Sequence, residues 1–230
     1  MNHTYYAIIP ARSGSKTVPH KNIRDFHGHP LLAWSIIIAQ RSPLISDIYV
    51  TTDSEDYARI AQQYGAKTIL RPHSCADDLS TDLEFFQHLQ PYIFPLPDAW
   101  IQLRPTCPIR NIDSLNHIIR TFDHEWDQWT SLRTVVPIDK SPFKMYITGH
   151  QQQLIPLFGS FQHIHEPYNQ CRQILPPAYL HNGNIDIVKN STIVTHHSVT
   201  GPLIRSWIDN DTNIDIDTEQ DWINALNLSI

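Results

Sequence analysis

The stretch IIPARSGSKTVPHKNI, residues 8–23, leaves an apolar run through a small turn and meets three cations, Arg12, Lys16 and Lys21. Arg24 follows, and the first acidic residue of the chain is Asp25. Tyr5–Pro10 is an apolar and aromatic run, which reads as a buried strand. In an open α/β sheet, ligands sit beyond the carboxyl ends of such strands. Ser13-Gly14-Ser15 has the small residues that let backbone N–H groups approach an anion. Arg12 offers a planar fork for phosphate oxygens, and Lys16 and Lys21 offer mobile point charges. The loop therefore predicts a cradle for a triphosphate. Two standard phosphate loops are excluded: GxGxxG is absent, and Gly14-Ser15-Lys16-Thr17 does not have the Gly-Lys-Ser/Thr order of the Walker loop.

Outward from this loop, apolar and amphipathic runs alternate. Pro30 opens a helical run through Ala39, and Ile48–Asp53 reads as a second strand. Ser54 caps a helix to about Tyr64, and Gly65 stops it. Thr68–Leu70 is a short strand, Leu83–Gln90 a helix, Trp100–Arg104 a strand, Ile112–Phe122 a helix and Leu132–Ile138 a strand. This order predicts a mostly parallel, Rossmann-like α/β sheet with helices on both faces. After about Ser141 the rhythm breaks. Met145–Thr148 and Gln153–Phe158 read as an extended pair around a polar turn, and 159–180 is irregular. Pattern returns at Asn184–Val188, then at Ile214–Asp217, before a helix whose capping box is Thr218 with Asp221. The expectation is one domain, 1–230, carrying an inserted β-rich arm at 140–180 that serves as a lid or a dimer contact.

Composition narrows the function classes. The chain has 230 residues, 41% of them hydrophobic, and a formal net charge of −6. An acidic chain is a poor nucleic-acid backbone binder. No apolar run is long enough to span a membrane, and the first residues lack a secretory pattern. Cys75, Cys107 and Cys171 form no CxxC pair, which fits a reducing cytoplasm. The fourteen histidines show no metal-ligand spacing.

Several motifs occur in one order along the chain. IPAR-x-GSK-x₄-KN is followed by Gly28-x-Pro30-Leu31, Thr51-Thr52-Asp53, Arg71-Pro72 and Ser80-Thr81-Asp82. Then come Leu103-Arg104-Pro105-Thr106-Cys107-Pro108-Ile109-Arg110, Arg172-Gln173-x-Leu175-Pro176, Tyr179, Asn182-Gly183 and Asp215-Ile216-Asp217-Thr218. Together they resemble the cytidylyltransferases that activate 2-keto sugar acids: the CMP-sialic acid synthetases and their relatives for legionaminate, pseudaminate and 3-deoxy-octulosonate.

The resemblance implies that CTP and a sugar acid give a CMP-sugar and pyrophosphate, the anomeric hydroxyl attacking the α-phosphorus. It implies nucleotide binding by Arg12, Gly14, Ser15, Lys16, Lys21, Asn22, Arg71, Ser80 and Asp82. Arg104, Thr106, Arg172, Gln173, Tyr179 and Asn182 would line the sugar side. Arg12, Lys21, Arg172 and Asp217 would carry catalysis. Arg104 stands where the sialic acid enzymes have Gln, and its charge is expected to pair with a substrate carboxylate. Asp82, Cys171 and the Asn184-Ile185-Asp186 run also depart from the pattern. Asp215 and Asp217 lie two apart, so extended backbone puts both carboxylates on one face, a pattern suited to Mg²⁺ or Mn²⁺. A homodimer is expected through the 140–180 arm. Three alternatives stay open on sequence grounds: a nucleotidyltransferase for another sugar, a glycosyltransferase using Asp215-x-Asp217 as a DxD, and a non-catalytic binding domain.

Overall fold

A computed structural model describes residues 2–211 and 214–228. The chain divides into two compact units, Met1–Thr134 with Asn182–Ile230, and Val135–His181.

The main sheet contains seven strands among the described residues: β1 Tyr5–Pro10, β2 Asp47–Thr52, β3 Lys67–Leu70, β4 Ala99–Gln102, β5 Ser131–Pro137, β6 Tyr179–Lys189 and β7 Ile204–Ile208. Their order is β7-β5-β6-β4-β1-β2-β3. β1 pairs in parallel with β2 and with β4, and β2 with β3; β6 runs antiparallel to β4. The helices are α1 Leu31–Gln40, α2 Glu55–Gln63, α3 Asp82–Leu89, α4 Ile112–His124, α5 Asn190–His196 and α6 Glu219–Leu226. The mostly parallel α/β sheet expected from the alternating runs is what forms.

Strand parity decides which core each residue enters. Tyr5, Ala7 and Ile9 of β1 pack with Leu32 and Ile36 of α1, Tyr57 and Ala61 of α2, and Ile118 and Phe122 of α4. Tyr6 and Ile8 point the other way, onto Phe85, Phe86 and Leu89 of α3 and Ile193 of α5. The uninterrupted apolar run of β1 thus reflects cover on both faces.

Local signals are met where they were read. Ser54 Oγ accepts the Tyr57 N–H, and Gly65 ends α2 at φ +87°. Thr218 and Asp221 close their capping box. Pro30 sits one residue before α1, where it pairs with Asp25. Ile214–Asp217 forms no sheet strand. A third core joins α6 to the first loop: Ile216, Trp222 and Ala225 pack with Val18, Phe26 and Leu31. β7 and α5 carried no sequence expectation.

In the second unit, Tyr146–Thr148 and Leu154–Pro156 form an antiparallel hairpin, and Ser160–Phe161 pairs with Ile164–His165. Phe143 packs at a tilt against Phe158 and Phe161, with centroids 5.0 and 4.7 Å away. Lys144 Nζ donates to the carbonyls of Tyr168 and Gln170 at 3.2 and 2.6 Å. No helix among the described residues is long and apolar enough to cross a membrane.

Candidate nucleotide site

The loop after β1 is held from the neighbouring strand end. Ala11 N–H continues the ladder to the Thr51 carbonyl at 2.9 Å. Asp53, just past β2, then accepts from Ser13 twice: the N–H at 2.8 Å and the hydroxyl at 2.7 Å. The Asp53 side chain is only 4% exposed. Burial pushes its carboxyl up, but the Ser13 bonds and the Arg71 charge outweigh burial and hold it below the usual range. Gly14 has no left-handed φ, and a Cβ there would meet nothing within 4 Å. The fold itself therefore does not demand glycine at this position.

Lys21 and Asn22 lie on the short turn Lys21–Ile23, and both are buried. Lys21 Nζ donates to the Ile216 carbonyl at 2.5 Å and to Asp217 Oδ1 at 2.9 Å. Thr17 Oγ1 donates to the Asp217 carbonyl at 2.6 Å. Asn22 Nδ2 donates to the Arg12 carbonyl at 2.9 Å, which leaves Oδ1 as a buried acceptor without a partner among the described residues. Arg71 follows β3, tied by its N–H to the Thr52 carbonyl, and lies 5.6 Å from the Phe85 ring centroid. Burial lowers its pKa, against the opposing pull of Asp53 and Asp82. Its Nε is a buried donor without a partner among the described residues.

Several of these side chains line a cavity of about 510 Å³. Arg12, Ser15, Lys16, Lys21, Asn22, Arg71, Ser80, Asp82, Arg104, Thr106 and Asp217 all line it. Gly14, Asp215 and Asn182 do not. The Asn182 amide is spent on the protein: its oxygen accepts from Thr134 at 2.7 Å and its nitrogen donates to Asp209 at 2.7 Å. Arg172, Gln173 and Tyr179 belong to the second unit, where each is exposed. Asp215 and Asp217 are exposed on either side of buried Ile216, and of the two only Asp217 lines the cavity.

Sequence reading missed the loop 72–81 as a source of acid. Arg12 Nη1 donates to the Asp77 carbonyl at 2.8 Å and to Asp78 Oδ1 at 3.0 Å. Lys16 pairs with Asp78 Oδ2. The Lys16 bond, helped by Arg12, holds the Asp78 carboxyl below its usual range. Two of the predicted phosphate cations thus already grip an anion. The Arg104 guanidinium is likewise occupied, bonded to Asp82 at 2.8 Å and to Asp186 at 2.5 Å. The expectation of a charge held ready for substrate did not include these two partners.

Residues 6–154 match the family model described as Cytidylyltransferase. A CMP-N,N'-diacetyllegionaminic acid synthase of Legionella pneumophila is 32% identical over 229 residues, covering 94% of this chain and 92% of the relative. An N-acylneuraminate cytidylyltransferase of Escherichia coli O18:K1:H7 is 29% identical over 225 residues; that match covers 96% of this chain and 51% of the relative, so the chain spans about half that protein's length. A CMP:2-keto-3-deoxy-manno-octonic acid synthetase solved with CTP superimposes with a TM-score of 0.72, covering 97% of each chain at 14% identity, which bears on the fold alone. A strand-one loop built of cations, an α/β sheet of this order and a family match over more than half the sequence lead to one assignment: the chain belongs to the cytidylyltransferase family.

Proposed function

We propose that this cytidylyltransferase joins CTP to a sialic-acid-like 2-keto-3-deoxy sugar acid. The anomeric hydroxyl attacks the α-phosphorus, the bond to the bridging oxygen breaks, and pyrophosphate leaves. The observation that carries this reading is the convergence of Arg12, Lys16 and Lys21 on one cavity beyond β1, two of them already closed on a carboxylate. Such a cluster offsets the charge that develops on the leaving pyrophosphate. Asn22 Oδ1 and Arg71 Nε, an acceptor and a donor with unmet bonds in residues lining the same cavity, suit the polar edge of cytosine. The names of the relatives support a nonulosonate as acceptor.

Thr106 lines the cavity and is proposed on the sugar side. Arg172, Gln173, Tyr179 and Asn182 keep their assignment to the sugar acid through the resemblance of their segments. Asp215 and Asp217 would hold Mg²⁺ or Mn²⁺: they are exposed, hard oxygen donors two residues apart, and Asp217 lines the cavity beside Lys21. The bound ion supplies Lewis-acid stabilisation of phosphate charge. The protein is proposed to work in the cytoplasm as a homodimer. Exposed Tyr146, Ile147, Leu154 and Ile155 of the hairpin support the second unit as the contact.

The test is pyrophosphate release with CTP, Mg²⁺ and a panel of N-acetylneuraminate, legionaminate, pseudaminate and 3-deoxy-octulosonate. Turnover with CTP and a nine-carbon acid, and little with UTP, is expected. Equal turnover with UTP, or none with any acceptor, contradicts the proposal.

A further inference from the structure

Strand parity brings four polar side chains together behind the nucleotide cavity. Gln102 ends β4, and Arg104 lies two residues on, toward the face that α3 covers. Asp186 of β6 sits directly across from Gln102 in the antiparallel ladder. Asp82 is the first residue of α3. The Arg104 guanidinium bridges the two acids, Nη1 to Asp186 Oδ2 at 2.5 Å and Nη2 to Asp82 Oδ2 at 2.8 Å. Gln102 Nε2 also donates to Asp82 Oδ2, at 2.9 Å. The backbone beneath is pinned as well: half-buried Arg110 donates from Nη2 to the Arg104 carbonyl at 2.8 Å and from Nε to the Asn184 carbonyl at 2.9 Å.

The consequence lies in what remains unused. Asp82 Oδ2 takes two bonds, while Oδ1 takes none among the described residues. The Asp82 side chain is 34% exposed, and both Asp82 and Arg104 line the cavity. A substrate carboxylate approaching Arg104 meets a cation already bound by two carboxylates, and like charge repels it. What the cluster offers to a ligand is therefore an acceptor.

We infer that Arg104 is a positioning residue for the nucleotide: it aims Asp82 and compensates its charge, so that the free carboxylate oxygen accepts an N–H or O–H of CTP. This rests on the reading of the cavity as a CTP site. The donors of matching chemistry on CTP are the cytosine amine and the ribose hydroxyls. The role differs from that of a sugar-carboxylate anchor, because it acts before any acceptor binds.

Titration calorimetry with CTP and Mg²⁺, without acceptor, tests it. Arg104→Met and Asp82→Asn are each expected to weaken CTP binding about tenfold, the scale of one charge-assisted hydrogen bond. The double variant should bind no more weakly than Asp82→Asn alone, because the Arg104 effect runs through Asp82. Comparing CTP with 2′-deoxy-CTP and with UTP identifies the donor: Asp82→Asn should erase the preference within one of these pairs. Each variant is checked for a cooperative melt. Should Arg104→Met not fold, Arg104→Lys, which keeps the charge but lacks the two-armed fork, is expected to fall between wild type and Asp82→Asn. Unchanged CTP affinity in a folded Arg104 variant, losses that multiply in the double, or both nucleotide preferences intact in Asp82→Asn overturns the inference. A wild type that does not bind CTP overturns the reading of the cavity, and the inference with it.

Discussion

Asn22 spends its amide nitrogen on the Arg12 carbonyl, and among the described residues its oxygen has no partner. A buried acceptor in that condition costs free energy until a donor arrives. Asn22→Ala is expected to raise KM for CTP about tenfold and to narrow the gap between CTP and UTP; an unchanged ratio removes Asn22 from base reading. Lys21 differs, because its ammonium bridges Ile216 and Asp217 in the ground state. Lys21→Ala should lower kcat about 10²-fold, with folding checked by a thermal melt; wild-type turnover would take Lys21 out of the mechanism. Asp53 governs pH. Its folded carboxyl lies below the ordinary value near 4, so its contribution to stability is complete above about pH 4 and is lost as pH falls through the lower folded value. Asp53→Asn should therefore lower Tm at pH 7 and flatten the loss of Tm in acid. A parallel acid profile for wild type and variant would contradict that.

At the scale of elements, the first loop and the last helix behave as one piece. Ile216 and Trp222 pack on Val18 and Phe26, Arg24 pairs with Glu219, and Lys21 reaches the backbone before α6. Trp222→Ala removes a side chain only 2% exposed and should cost about 3–5 kcal/mol by denaturant titration. A loss under about 1 kcal/mol would mean that α6 is not part of the folded loop. This coupling also sets what could be read in advance. β1, its cationic turn and the capping box at Thr218 were legible because each signal lies within a few neighbouring residues. α5 was not: Asn190-Ser-Thr-Ile-Val-Thr is rich in residues that disfavour helix, and only its packing in the second core explains it. β7 was hidden because Ile204 and Ile208 are exposed, while Arg205 and Trp207 are half-buried, the reverse of the usual alternation. The Arg104 cluster was hidden by distance along the chain, since its partners lie 22 and 82 residues away.

Over the whole molecule, a net charge of −6 coexists with a basic cavity. CTP carries about four negative charges, so attraction is confined to the end of β1 while the remaining surface stays acidic. Binding should weaken as ionic strength rises. Asp78 holds Arg12 and Lys16, and on the proposed reading phosphate has to displace it, so Asp78→Asn should tighten CTP binding several-fold, by the loss of one competing ion pair. Weaker binding in that variant would instead make Asp78 an orienting group for Arg12. The central claim is that the turn after the first strand receives the triphosphate, and a crystal structure with CTP tests it most directly. The account predicts phosphate oxygens within hydrogen-bond reach of Arg12, Lys16 and Lys21, with Arg12 and Lys16 released from Asp78. A nucleotide bound elsewhere, with both ion pairs to Asp78 intact, would contradict it.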